Sequence, residues 1–173
     1  MFLLDETGIY FLPSIHTTYQ PKGVRWELRV KLTKEHLSTI GGVTPMGELG
    51  IWTKKGAINE YDIVDFLSHL LIRFNERLFI IWDGSTIHSK SIFVRSFIKA
   101  IGSERLRVEN FPGYAPELNP TEGLWHQLKG VEMKNICATD LTDLKSKIVT
   151  AIARVRRNRK LIQGFFGQTG LII

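Results

Sequence analysis

The run Leu78-Phe79-Ile80-Ile81-Trp82 is apolar at every position and stops at Asp83. A strand with no wet face belongs in the middle of a sheet that helices cover on both sides. Phe2-Leu3-Leu4, leading straight into Asp5, reads as a second strand of the same kind. Each is expected to end on its carboxylate, and open α/β sheets gather their ligand sites at the carboxyl ends of such strands.

Working outward, Ile63, Phe66, Leu67, Leu70, Leu71 and Phe74 recur at helical spacing just before this run and predict a helix burying one face. After it, Val94, Phe97, Ile98 and Ile101 predict another helix, stopped by Gly102, and Leu106–Phe111 a further strand. Upstream, Trp26, Leu28, Val30 and Leu32 alternate with Arg25, Glu27, Arg29 and Lys31, the period-two mark of a strand with one wet face. Two more strands are expected near Leu37–Thr44 and Glu48–Thr53, split by Pro45, Met46 and Gly47. Beyond the Pro-rich connection Pro112–Pro120, a helix is expected to open with Asn119 as cap and Pro120 at its first position, which suits both residue types. Leu141, Leu144, Ile148, Ile152 and Val155 define a long helix after Thr139 or Asp140. Strands first, then strand–helix alternation, then helices describe a mixed sheet with helices on its faces.

The 173 residues suit one domain spanning 1–173, with no repeat or linker to divide it. A hydrophobic share of 43% excludes a disordered chain, and the net charge of +6 favours a polyanionic partner. Cys137 is the only cysteine, so neither an intrachain disulfide nor a thiolate zinc cluster is expected. No apolar run approaches the roughly 20 residues that cross a bilayer, and MFLLDE lacks a basic leader. A cytoplasmic protein is expected.

Three acids stand out by position: Asp5, Asp83 and Glu122, the last three residues after the cap Asn119. Three converging carboxylates repel, and each tends to keep its proton. Divalent cations remove that conflict, and oxygen-only ligands suit Mg²⁺ or Mn²⁺. A pair of such ions, about 3.5–4 Å apart, activates the attacking oxygen and stabilises the leaving oxygen in phosphodiester displacement. An acid at a strand end also caps turns and helices, and position by itself does not separate the two roles.

The residues around the acids do separate them. IIWDGSTIHS (80–89) and FPGYAPELNPTEGLWHQLKG (111–130), with LLDETGIYFLP (3–13) and YQPKG (19–23), resemble the DDE endonuclease domain of mariner-like transposases, closest to the bacterial insertion-sequence branch. The likeness covers nearly the whole chain. It implies an RNase H-like (retroviral-integrase-like) α/β fold, a five-stranded mixed sheet with helices on both faces. It also implies Asp5, Asp83 and Glu122 as the catalytic, metal-holding triad for two Mg²⁺ or Mn²⁺ ions, and DNA as the partner, commonly bound by a homodimer. The expected setting is prokaryotic and nucleoid-associated. The 38 residues between Asp83 and Glu122 slightly exceed the spacing common in that branch, and Gly84 stands where the family usually has Asn. Full-length relatives carry helix-turn-helix modules ahead of the first acid; none is expected here, so DNA binding should be weak, salt-sensitive and largely indifferent to sequence.

The remaining signals each carry two readings. His88 matches the family position and can approach a phosphate, or it is a helix cap or packed ring. Asn119 and Pro120 are expected to shape the entry of the helix that aims Glu122. Arg154, Arg156, Arg157, Arg159 and Lys160 place five cations in seven residues, for DNA-backbone contact or as a solvated face complementing the helix dipole. Trp125 and Leu128 read as core, as do Trp52 and Trp82. Metal-dependent DNA hydrolysis and strand transfer at transposable-element ends is the function expected. A catalytically impaired DNA-binding or assembly module is the alternative, and a structure-selective nuclease of the same fold a third.

Overall fold

The computed structural model describes residues 1–11, 19, 21–23, 35–83, 90–112, 116–167 and 169–170. Its strands are β1 (Phe2–Tyr10), β2 (His36–Val43), β3 (Leu49–Lys55), β4 (Leu78–Trp82) and β5 (Leu106–Asn110), in the order β3-β2-β1-β4-β5. β1, β2 and β3 pair antiparallel, whereas β4 lies parallel to both β1 and β5. The five-stranded mixed sheet is thus as expected. The strand anticipated at Arg25–Leu32 lies outside the described residues.

Side-chain alternation along β1 feeds two cores. Leu3 and Ile9 face one side and Phe2 and Leu4 the other, because successive strand residues point to opposite faces. On the second side pack α1 (Glu60–Arg73), through Ile63, Phe66, Leu67 and Leu70, and α2 (Ile92–Ile101), through Val94. α1 starts at a reciprocal capping box: the Asn59 side chain accepts from the Asp62 N–H, and the Asp62 carboxylate accepts from the Asn59 N–H, satisfying donors that a helix start leaves open. α2 stops at Gly102, whose φ of +83° favours glycine.

On the first side pack α3 (Thr121–His126), α4 (Leu141–Arg157) and α5 (Arg159–Gly167), which bury Leu124, Trp125, Leu144, Ile148, Val155, Ile162 and Phe165 against Leu3, Ile9, Val43 and Leu49. Removing an aliphatic side chain such as Ile148 from this layer would cost about 2–5 kcal/mol. α4 begins where expected, with the Asp140 side chain accepting from the Asp143 N–H. α3 runs on into a π-helical stretch, Gln127–Glu132.

Two expectations need correction. β1 does not end at Asp5: it continues to Tyr10, still paired to β2 as far as Tyr10↔His36, although its pairing with β4 covers only Phe2 and Leu3. The half-buried residues Asp5–Gly8 therefore sit in a strand with a described neighbour on one side, and the apolar run ends within the strand rather than at its end. Trp52, expected as packing, is 37% exposed on edge strand β3.

Candidate active site

The parallel register Phe2↔Ile80 and Leu3↔Ile81, continued by two residues, sets Asp5 level with Asp83. Asp83 stands one residue past the end of β4 and is exposed, while Asp5 is half-buried in mid-strand. Glu122 lies in the first turn of α3, exposed. Its helix is fixed by its start. The buried Asn119 side chain accepts from the Thr121 N–H at 3.1 Å, its carbonyl accepts from Glu122 N–H at 3.0 Å, and the Pro120 carbonyl accepts from Gly123 N–H at 3.1 Å.

α3 and the π-helical stretch that continues it are then tied to β1 by three side chains, two from α3 and one from that stretch. Thr121 Oγ1 donates to the Leu3 carbonyl at 2.8 Å, Trp125 Nε1 donates to Asp5 Oδ2 at 2.9 Å, and Lys129 Nζ donates to Thr7 Oγ1. Steps of four along the helix meet steps of two along the strand. The match is geometric, since four helical residues rise roughly 6 Å and two strand residues roughly 6.6 Å. Leu3, Asp5 and Thr7 share one face of β1, so the same alternation that builds the core aims Asp5 at α3.

The Asp5 carboxyl is pushed up to about 6 from 3.8, chiefly by burial. Hydrogen bonds from Trp125 and from the Glu6 N–H (2.8 Å, on Oδ1) pull it down, while the charges of Glu122 and Asp83 push it up further. Lys129 is half-buried; burial lowers its ammonium, and the nearby Glu122 and Asp5 raise it. Asp5 thus feels both other acids, the electrostatic situation a divalent cation relieves. Among the described residues, no group of three or more His, Cys, Asp and Glu is already drawn together as a cage. The donor set fits a hard cation in its chemistry, oxygen ligands of negative charge.

The basic residues lie elsewhere. Arg154 pairs with Glu132 at 3.5 Å. Arg156 approaches Arg73, its guanidinium lowered by burial and then by that like charge. The Arg159 backbone packs on Gly47, where a Cβ would fall 2.7 Å from the Arg159 carbonyl oxygen. Gly47 belongs to the β2–β3 turn, beyond the start of β1, whereas Asp5 pairs with Gly41. This end of the sheet is on the order of 15 Å from Asp5 along the strand direction. Arg157 and Lys160 are exposed beside these residues in sequence, and His88 lies outside the described residues. Thr121, Trp125 and Lys129 are site residues that the sequence does not announce. Only Trp125 carried a signal, since a buried indole N–H requires an acceptor.

A five-stranded mixed sheet with one acid on its middle strand β1, a second one residue past the end of the parallel strand β4 and a third on a helix packed against β1 is an RNase H-like core. Residues 1–145 match the DDE superfamily endonucleases, and the chain belongs to that family. No curated protein matches by sequence. Among solved structures, the fold is similar to the mariner Mos1 paired-end complex with Mg (TM-score 0.67, 15% identity, 99% of this chain and 56% of that one). It is similar also to the Mos1 strand transfer complex (0.65, 14%, 99% and 55%). The fold is similar as well to a chain of a simian T-cell lymphotropic virus intasome (0.56, 14%, 87% and 46%). The chain spans about 56% of the Mos1 chain in the Mg complex.

Proposed function

We propose that residues 1–173 form one DDE catalytic domain, a transposase core that hydrolyses DNA at the ends of a mobile element and joins the freed 3′ hydroxyl to target DNA. Asp5, Asp83 and Glu122 would hold two Mg²⁺ or Mn²⁺ ions. The observation that carries this reading is the placement of Asp5, half-buried on β1 and joined through Trp125 Nε1 at 2.9 Å to the helix that bears Glu122, with Glu122 and Asp83 as its charged neighbours. When bound, such ions polarise the attacking oxygen and the leaving oxygen of a phosphodiester. The chain's own part is to hold Asp5 and the helix of Glu122 in fixed relation, and to keep Lys129 beside both acids, where an ammonium balances charge.

The mariner and intasome likenesses support DNA as the partner. Contact with the DNA backbone by His88, Arg154, Arg156, Arg157, Arg159 and Lys160, and assembly as a homodimer, belong to the same proposal. So does a prokaryotic, nucleoid-associated setting; among the described residues no helix is long and apolar enough to cross a membrane.

The test is nicking and strand transfer on supercoiled DNA with Mn²⁺. Loss of both in Asp83→Ala supports the mechanism, and full activity in that variant removes it. Gly84, which stands where the family usually has Asn, favours a second reading, a catalytically impaired DNA-binding or assembly module. Millimolar Mn²⁺ raises the melting temperature under the first reading, since a ligand of the folded state alone stabilises it, and leaves it unchanged under the second.

A further inference from the structure

We infer that Trp125 is a positioning residue for the first acid, holding the Asp5 carboxylate in the orientation that receives a divalent cation; the inference rests on the proposed reading of Asp5, Asp83 and Glu122 as metal ligands. Trp125 is 4% exposed, and its indole N–H reaches Asp5 Oδ2 at 2.9 Å. The Glu6 N–H holds the other oxygen, Oδ1, at 2.8 Å. The carboxylate is therefore pinned at both oxygens from the protein side. Each carboxylate oxygen offers two acceptor positions, so one donor on each still leaves room for a cation, and no rotation has to be frozen when the cation arrives.

The surroundings are shaped for this contact. Gly41 pairs with Asp5 across the β1–β2 ladder, and a Cβ there would fall 2.8 Å from Cη2 of Trp125. Bare backbone opposite the acid admits the ring edge-on. Four residues earlier on the same helix, Thr121 is bonded to Leu3, and Glu122 follows Thr121 directly in the first turn. The indole thereby links the orientation of the first acid to the helix of the third. A partner that orients a metal ligand typically changes metal affinity by about 10–100-fold when it is removed.

Trp125→Phe keeps an aromatic ring and deletes the donor. Ile148→Ala thins the same core at a site on α4 and serves as the comparison for general loosening. Mn²⁺ affinity is measured by titration calorimetry on the whole chain, below the melting temperature of each protein. The expected result is about 10–100-fold weaker binding in Trp125→Phe, with Ile148→Ala staying close to wild type. Equal affinity in Trp125→Phe and wild type, or equal weakening in both variants, overturns the inference alone. A wild-type chain that binds no Mn²⁺ overturns the proposed metal site and the inference with it. A second measurement needs no variant: the Trp125 indole ¹⁵N–¹H resonance is expected to shift as Mg²⁺ is added while that of Trp52 stays in place. A Trp125 resonance that stays fixed through Mg²⁺ saturation overturns the inference.

Discussion

The hydroxyl of Thr121, fully buried, donates to the main-chain carbonyl of Leu3 across 118 residues of sequence at 2.8 Å. Thr121→Val keeps the shape and deletes the donor. The expected cost is about 1–2 kcal/mol in urea denaturation. Nicking with Mn²⁺, assayed well below the melting temperature, is expected to fall further than that loss of stability explains, because the hydrogen bond sets the helix of Glu122.

Gly41→Ala places a methyl 2.8 Å from the Trp125 ring and 3.2 Å from Ile51. Overpacking of this kind costs about 1–3 kcal/mol. A shifted Trp emission spectrum together with the lower denaturation midpoint is the expected signature, and an unchanged midpoint would show that the neighbours can give way.

Acid–base linkage gives a pH test. Asp5 titrates at about 6 in the folded chain against 3.8 for its ordinary value, so between those values the folded state holds a proton that the unfolded state has released. Without metal, the contribution of this group to stability is therefore full below pH 4 and is lost as pH rises through 6. The loss is at most on the order of 3 kcal/mol. Saturating Mn²⁺, which favours the charged carboxylate, is expected to flatten or reverse that slope; denaturant midpoints at pH 4, 5, 6 and 7 with and without Mn²⁺ measure it.

Arg156, Arg159 and Lys160 sit toward the end of the sheet remote from Asp5, with Arg156 beside the like charge of Arg73. Replacing all three by Ala is expected to weaken DNA binding and to reduce the slope of log affinity against log salt by about one for each phosphate no longer neutralised. Nicking at saturating DNA is expected to persist. A fall in nicking rate at saturation, with affinity unchanged, would instead place these residues at the chemistry.

Much of this is legible in the sequence because burial writes itself into periodicity. The unbroken run 78–82 and the helical spacing of Ile63–Leu70 depend on local geometry, and both elements are found; the helix expected to open at Asn119–Pro120 starts one residue later, at Thr121 with Pro120 as its N-cap, while the Asn119 side chain still accepts from the Thr121 N–H. The sequence singles out Asp5 as a residue but not its place in the strand, because the apolar run ends within β1 while pairing with β2 continues. The second role of Trp125 and the presence of Lys129 depend on which strand α3 lies against. That is a tertiary fact with no local pattern, and the same holds for the end of the sheet at which the basic cluster falls.

The rungs from Thr121, Trp125 and Lys129 to β1 bear on how such a domain tolerates insertion. The third acid takes its coordinates from the first strand, not from a measured length of chain after the second. The 38 residues between Asp83 and Glu122 include α2 and β5, and the connections around those elements can change length without moving Glu122. Gaining or losing a single residue between Thr121 and Lys129, by contrast, would rotate every later tooth of the rack off its pinion.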